Sequence, residues 1–162
     1  MLKTVRSFAP RLKIADGGFT LIELLFTIAV AAIFSALAAP AFGQFIASQR
    51  VKTAASDLSS ALMAARSEAM KRNLNVALAP VSNDWKNGWT LTAGGTTISR
   101  YEAVGDLVIT GPAPSLTYNS SGRLTAGVAP FSVSSSAAGA AASRCINVDL
   151  SGLPRAKMGA CT

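Results

Sequence analysis

From Phe19 to Ala39 the chain runs for 21 residues with one charged side chain, Glu23. At about 1.5 Å of rise per residue, a helix of that length spans roughly 30 Å, the thickness of a bilayer's hydrocarbon core. The run also explains the composition. Half of the residues are hydrophobic, 14% are charged and the mean hydropathy is +0.38. That is too apolar for a disordered chain and high for a wholly soluble domain. Lys3, Arg6, Arg11 and Lys13 precede the run, against Asp16 alone. Such a basic flank stays cytoplasmic, so the residues after the run face the other side. The 162 residues leave room for one domain of about 100–150 residues beside the apolar segment.

An ordinary secretory signal peptide is the simplest alternative, because Ala36-Leu37-Ala38 offers a small-residue cleavage site after an apolar stretch. Two features oppose it. The run is longer than a usual signal core, and Glu23 lies inside it. A carboxylate at membrane depth costs about 2.5–3.5 kcal/mol on insertion scales and marks function. No Lys or Arg lies between Phe19 and Gln49, so no cationic side chain of the same helix is within reach of Glu23.

The segment Gly17-Gly18-Phe19-Thr20-Leu21-Ile22-Glu23-Leu24-Leu25 resembles the class III signal of type IV pilins and pseudopilins. The resemblance implies that a prepilin peptidase cuts between Gly18 and Phe19 and that the new amine is methylated. Glu23 then becomes the fifth mature residue, where the family has its glutamate. Pro40 takes the position where many members have a helix-kinking proline. Physical chemistry agrees. A free amine at Phe19 and a carboxylate at Glu23 are each expensive in lipid and become tolerable when met by the opposite charge on a neighbouring subunit. Both are therefore read as assembly residues. Pro40 removes one i→i−4 bond and is expected to bend the helix as it leaves the membrane.

Helix is expected to continue past Pro40. From Ala41 to Asn73 there is no Pro and the only Gly is Gly43. Ala55, Leu58, Leu62, Ala65 and Ala69 recur at helical spacing, an apolar face for a sheet to cover. Glu68 precedes Arg72 by four residues, a favourable pair. A helix from Phe19 to Asn73 would be roughly 80 Å long.

After Leu74 the period changes. Short strands are expected at Asn75–Ala79, Gly88–Ala93, Thr97–Tyr101, Leu107–Thr110, Ser115–Asn119 and Ala129–Ser134. Turn signals such as Asn87-Gly88, Gly94-Gly95 and Ser121-Gly122 separate them. No helical pattern interleaves, so the sheet should be antiparallel. Ser132 to Ser143 is nearly all Ser, Ala and Gly, and reads as a flexible loop beginning at a strand end. Ile146, Val148 and Leu150 alternate with polar residues as a half-buried strand. Cys145 and Cys161 are equidistant from Leu153, as cross-strand partners of one hairpin would be. A disulfide there, in an oxidising compartment, would close a loop of about 15 residues and contribute about 3 kcal/mol.

Three further segments narrow the resemblance. Ala65-Arg66-Ser67-Glu68-Ala69, Asp84-Trp85 with Gly88-Trp89, and Tyr118-Asn119 with Gly122-Arg123 resemble the GspH/FimT minor-pilin family. The implied class is α+β, a long N-terminal helix packed on an antiparallel sheet or sandwich-like head. Residues 1–18 would be the leader, 19–40 the transmembrane helix, 41–74 its amphipathic continuation, and 75–162 a β-rich head ending in a disulfide hairpin. Trp85 and Trp89 are expected to pack in the core or at a sheet edge rather than to serve as surface recognition residues.

The resemblance implies a minor pilin of a type IV pilus that helps to initiate assembly or forms the tip. The alternative is a pseudopilin of a type II secretion machine. Implied partners are other pilin subunits, the prepilin peptidase and the bacterial inner membrane, with the head in the periplasm. Some FimT-type members bind DNA through a C-terminal Gly-Arg-x-Arg motif. The matching positions here are Gly152-Leu153-Pro154-Arg155, with Leu153 at the first Arg. From Leu107 onward the basic residues are Arg123, Arg144, Arg155 and Lys157, against Asp149 alone. They form a DNA-binding patch only if the fold gathers them. Nothing points to an enzyme. The chain has no His and two Cys, which removes the usual nucleophilic pairs and zinc ligand sets. No Gly-rich loop joins a strand to a helix, and Asp106 and Asp149 would meet only by accident of fold. No metal and no cofactor are expected.

Overall fold

Helix α1 (Leu21–Arg72) begins where Thr20 caps it. The computed structural model describes residues 18–127, 130–139 and 142–161, without the side chains of 38–40. Leader residues 1–17 lie outside these. So does the side chain of Pro40, and with it the bend expected there. The chain divides into two compact units, Met1–Ala38 and Ala39–Thr162. The described part of the first is the start of α1 with the residues before it. Its leucines, isoleucines and phenylalanines are exposed, and α1 is long and apolar enough to cross a membrane.

In the second unit, α1 buries the face that the sequence spacing marks out. Ala55, Leu58, Leu62, Ala65 and Ala69 are all buried, joined by Val51, Ala54 and Ala61. The alanines let the sheets approach closely, and the two leucines fill the space between, each contributing about 1.5–3 kcal/mol by burial. Glu68 takes the expected pair with Arg72 at 2.6 Å and a second with Lys71 at 3.5 Å. The Arg72 guanidinium holds the Glu68 carboxyl below its usual range. At the helix end Asn73 adopts φ 53°, and the Leu74 N–H donates to the Ala69 carbonyl at 3.3 Å. This is the left-handed cap that reverses a chain after a helix.

Eight strands follow among the described residues: β1 (Val76–Pro80), β2 (Trp89–Ala93), β3 (Thr96–Tyr101), β4 (Val108–Thr110), β5 (Leu116–Tyr118), β6 (Phe131–Ser134), β7 (Arg144–Val148) and β8 (Pro154–Met158). They form two antiparallel four-stranded sheets, ordered β3-β2-β1-β5 and β4-β6-β7-β8. The α+β class and antiparallel pairing are thus as expected. Inward residues of both sheets and the buried face of α1 share one core. Trp85 and Trp89 belong to it. Trp85 meets Phe131 edge-on at 4.8 Å and donates from Nε1 to the Pro112 carbonyl at 3.2 Å, while Trp89 stacks on Tyr101 at 5.6 Å.

The C-terminal hairpin departs from expectation in two respects. Leu150 does not continue the strand. β7 ends at Val148, and Leu150 lies 54% exposed in the turn. The Asp149 carboxylate causes this by accepting from the Ser151 N–H at 2.9 Å and from the Ser151 hydroxyl, while the Gly152 N–H donates to the Asp149 carbonyl. Those bonds also centre the register on Ser151 rather than Leu153, so Cys145 faces Lys157 across the ladder, not Cys161. The disulfide forms nonetheless, with the two Cα atoms 5.0 Å apart. Past β8 the chain turns at Gly159 (φ 92°), whose N–H donates to the Ser143 carbonyl, and Cys161 comes back to Cys145.

Candidate functional site

The residues singled out by the sequence fall in two places. The first is the start of α1. Gly18 and Phe19 precede the helix and are exposed. Thr20 is the N-cap: its Oγ1 accepts from the Glu23 N–H at 3.3 Å and its carbonyl from the Leu24 N–H at 3.1 Å. Glu23 is exposed in the first turn, where a carboxylate complements the positive end of the helix dipole. The Thr-x-x-Glu spacing is the capping-box pattern. The role of Thr20 was therefore written in the sequence and could have been read from it. Phe19, Leu21 and Ile22 around Glu23 are exposed, so the acid stands on an apolar surface.

The second place is the end of the head where two turns abut. The Asn119 side chain accepts from the Ser121 and Arg123 N–H groups, both at 3.0 Å, which builds a tight turn after β5. Arg66 of α1 donates from Nε to the Gly122 carbonyl at 3.0 Å and ties that turn to the helix. Gly152, at φ 80°, presses against the same carbonyl: a Cβ there would lie 2.2 Å from Gly122 O and 2.9 Å from Tyr118 Cε1. Only glycine fits this combination of left-handed backbone and close approach. Neither Arg66 nor Gly152 could be assigned this role from sequence, because both act through contacts distant along the chain.

The four basic residues proposed for DNA are divided by this geometry. Arg155 and Lys157 alternate along β8 and share one face of it. Arg123 is exposed on the turn that touches Gly152. Arg144 stands on the opposite face of the sheet from Arg155 and Lys157, and donates to the carbonyls of Ala142 at 3.2 Å and Ser143 at 3.0 Å. Asp149 tempers the patch. Its carboxyl is held below its usual range by the Ser151 hydroxyl first, with a smaller contribution from Arg155.

Comparison with known proteins bears on both places. The family described as type II transport protein GspH matches residues 54–152, and the prokaryotic N-terminal methylation motif matches residues 15–39. Among curated protein sequences no match is found. Among solved structures, the type IV minor pilin FimU of Pseudomonas aeruginosa PAO1 has the same fold in two crystal forms. The TM-scores are 0.56 and 0.55 at 20% identity, covering 69% and 67% of this chain and 90% and 92% of FimU. With a prepilin-type signal ahead of a matching head, the chain belongs to the GspH family of minor type IV pilin and pseudopilin subunits.

Proposed function

We propose that this chain is a minor pilin that helps to initiate a type IV pilus or sits at its tip. The observation that carries the reading is Glu23, an exposed carboxylate in the first turn of a helix apolar enough to enter a membrane. Such an acid needs an opposite charge in lipid, and the amine created by cleavage between Gly18 and Phe19 on a neighbouring subunit supplies one. Residues 19–40 would hold the subunit in the inner membrane until it is extracted into the filament. Residues 41–74 would carry the head, residues 75–162, in the periplasm. A pseudopilin of a type II secretion system is the second reading, favoured by the description of the matching family. DNA uptake has the weakest support: Leu153 stands at the first Arg of the Gly-Arg-x-Arg motif, and Arg144 is turned to backbone carbonyls.

The test is Glu23→Ala in cells. The variant should be processed, with methylated Phe19 as its N-terminus by mass spectrometry, and should enter sheared filaments poorly. Unchanged incorporation would reject the pairing role, and a mature N-terminus at Ala39 would reject the pilin reading. Deleting the gene and scoring piliation and protein secretion in parallel separates the two machines.

A further inference from the structure

Among the described residues, β8 leaves most of its inward face exposed, with only Pro154 partly covered. β1, β2 and β4 to β7 bury their inward residues, and β3 packs Ile98 and Tyr101 against the same core. In β8 the register sets Ala156 opposite Ile146 and Met158 opposite Arg144. Ala156 and Met158 therefore lie on the side of the sheet that holds Ile146 and Val148. Ile146 and Val148 are fully buried, whereas Ala156 is exposed and Met158 is 76% exposed.

Among the described residues, no strand pairs with the outer side of β8, the outermost strand of its sheet. The Gly159 N–H donates to the Ser143 carbonyl, which makes residues 143 and 159 a hydrogen-bonded pair. By alternation, Lys157 and Arg155 turn their main-chain groups toward β7, and Ala156 and Met158 turn theirs outward. Pro154 belongs to the outward set, the place where a strand tolerates the loss of an N–H. On the other face, Arg155 and Lys157 stand side by side. Basic residues and a proline on an edge discourage pairing between like copies.

We propose that β8 is a docking edge for an extended segment of a different protein. That segment would alternate acidic residues, set beside Arg155 and Lys157, with apolar residues, set beside Ala156 and Met158. It would add a fifth strand to the sheet β4-β6-β7-β8 and cover the exposed part of the inward face. The proposal goes beyond filament assembly and applies in either machine.

The full chain in detergent micelles, titrated with a synthetic peptide alternating Glu and Val, tests this. A Lys-for-Glu version of the peptide and duplex DNA serve as comparison probes. The acidic peptide should protect the Ala156 and Met158 amides from exchange and bind about tenfold or more tightly than its basic counterpart. Ala156→Pro, which deletes an outward N–H and no charge, should weaken binding about tenfold. Arg155→Glu with Lys157→Glu, both at exposed positions, should reverse the preference between peptides, and decides the matter if the proline variant does not fold. Equal binding of both peptides, or binding and protection indifferent to Ala156→Pro in a folded protein, overturns the proposal. DNA binding that needs Arg155 and Lys157, with no peptide protection of the edge, overturns it in favour of a nucleic acid.

Discussion

Tyr118 links the stability of the head to alkaline pH. The residue is 0% exposed, and its hydroxyl has no hydrogen-bond partner among the described residues. Burial pushes its pKa from 10.0 up to about 12, with Arg66 pulling it down and Asp149 adding to the rise. The sign follows from the direction. Because the folded value is above the unfolded one, the folded state disfavours the tyrosinate. The stability associated with the neutral phenol is fully present below pH 10 and is lost as pH rises through about 12. The gap is worth about 2.7 kcal/mol in full, of which about 1.4 kcal/mol is gone by pH 11. Tyr118→Phe keeps the ring and removes the ionising group. At pH 7 it should be neutral or stabilising, because it deletes a buried hydroxyl left without a partner. The assay is urea unfolding followed by tryptophan fluorescence between pH 8 and about 12. Trp85 and Trp89 are both buried in the head and report on it alone. The difference between the wild-type chain and Tyr118→Phe should be flat to about pH 9 and should have changed by about 1.4 kcal/mol in all at pH 11. Parallel losses in the two proteins across the whole range would refute the argument.

Leu62 is fully buried on α1, so Leu62→Ala should cost about 2–5 kcal/mol by the same unfolding assay, and Met63→Ala, at an exposed neighbour, far less. Cys145 and Cys161 are 16 residues apart. Replacing both with Ser should cost about 3 kcal/mol, and non-reducing peptide mapping of the unaltered chain should recover the linked pair. Gly152→Ala combines a φ of 80° with a Cβ 2.2 Å from Gly122 O. It should cost more than the ~1–2 kcal/mol of left-handed strain alone, and amide shifts should spread to the turn at Asn119–Arg123.

What the sequence made legible was the part governed by period. The alternation and helical spacing of apolar residues fixed the buried face of α1 at Ala55, Leu58, Leu62, Ala65 and Ala69, and located the six strands between Leu74 and Ser134 to within a residue or two. The hairpin departs from its expected register because that register depends on one side chain. Asp149 looks polar and strand-compatible between Val148 and Leu150, but its carboxylate caps the turn and ends β7 early. The division of the β-rich region into two sheets was equally hidden. It depends on which strands become neighbours, β1 with β5 and β4 with β6, and the local pattern carries no record of that choice. The cap at the start of α1 is local for a different reason: Thr20 and Glu23 lie within one helical turn of each other, so their spacing is their geometry.

Gly152 shows why the C-terminal motif has to be divided before it is interpreted. Glycine at this position aligns with the first residue of Gly-Arg-x-Arg, yet the fold alone requires it: the backbone is left-handed, and the Gly122 carbonyl and the Tyr118 ring leave no room for a Cβ. The contact locks the turn after β5 to the tip of the β7–β8 hairpin, and Arg66 holds the same carbonyl from the helix side. A glycine here therefore signifies a pinned hairpin whether or not anything binds beyond it. Surface chemistry begins at the next residues. With Leu153 in place of a cation and Arg155 the first exposed charge on β8, the pinned strand presents a mixed apolar and basic edge. That edge suits an alternating peptide better than a phosphate backbone, which gains from every added cation.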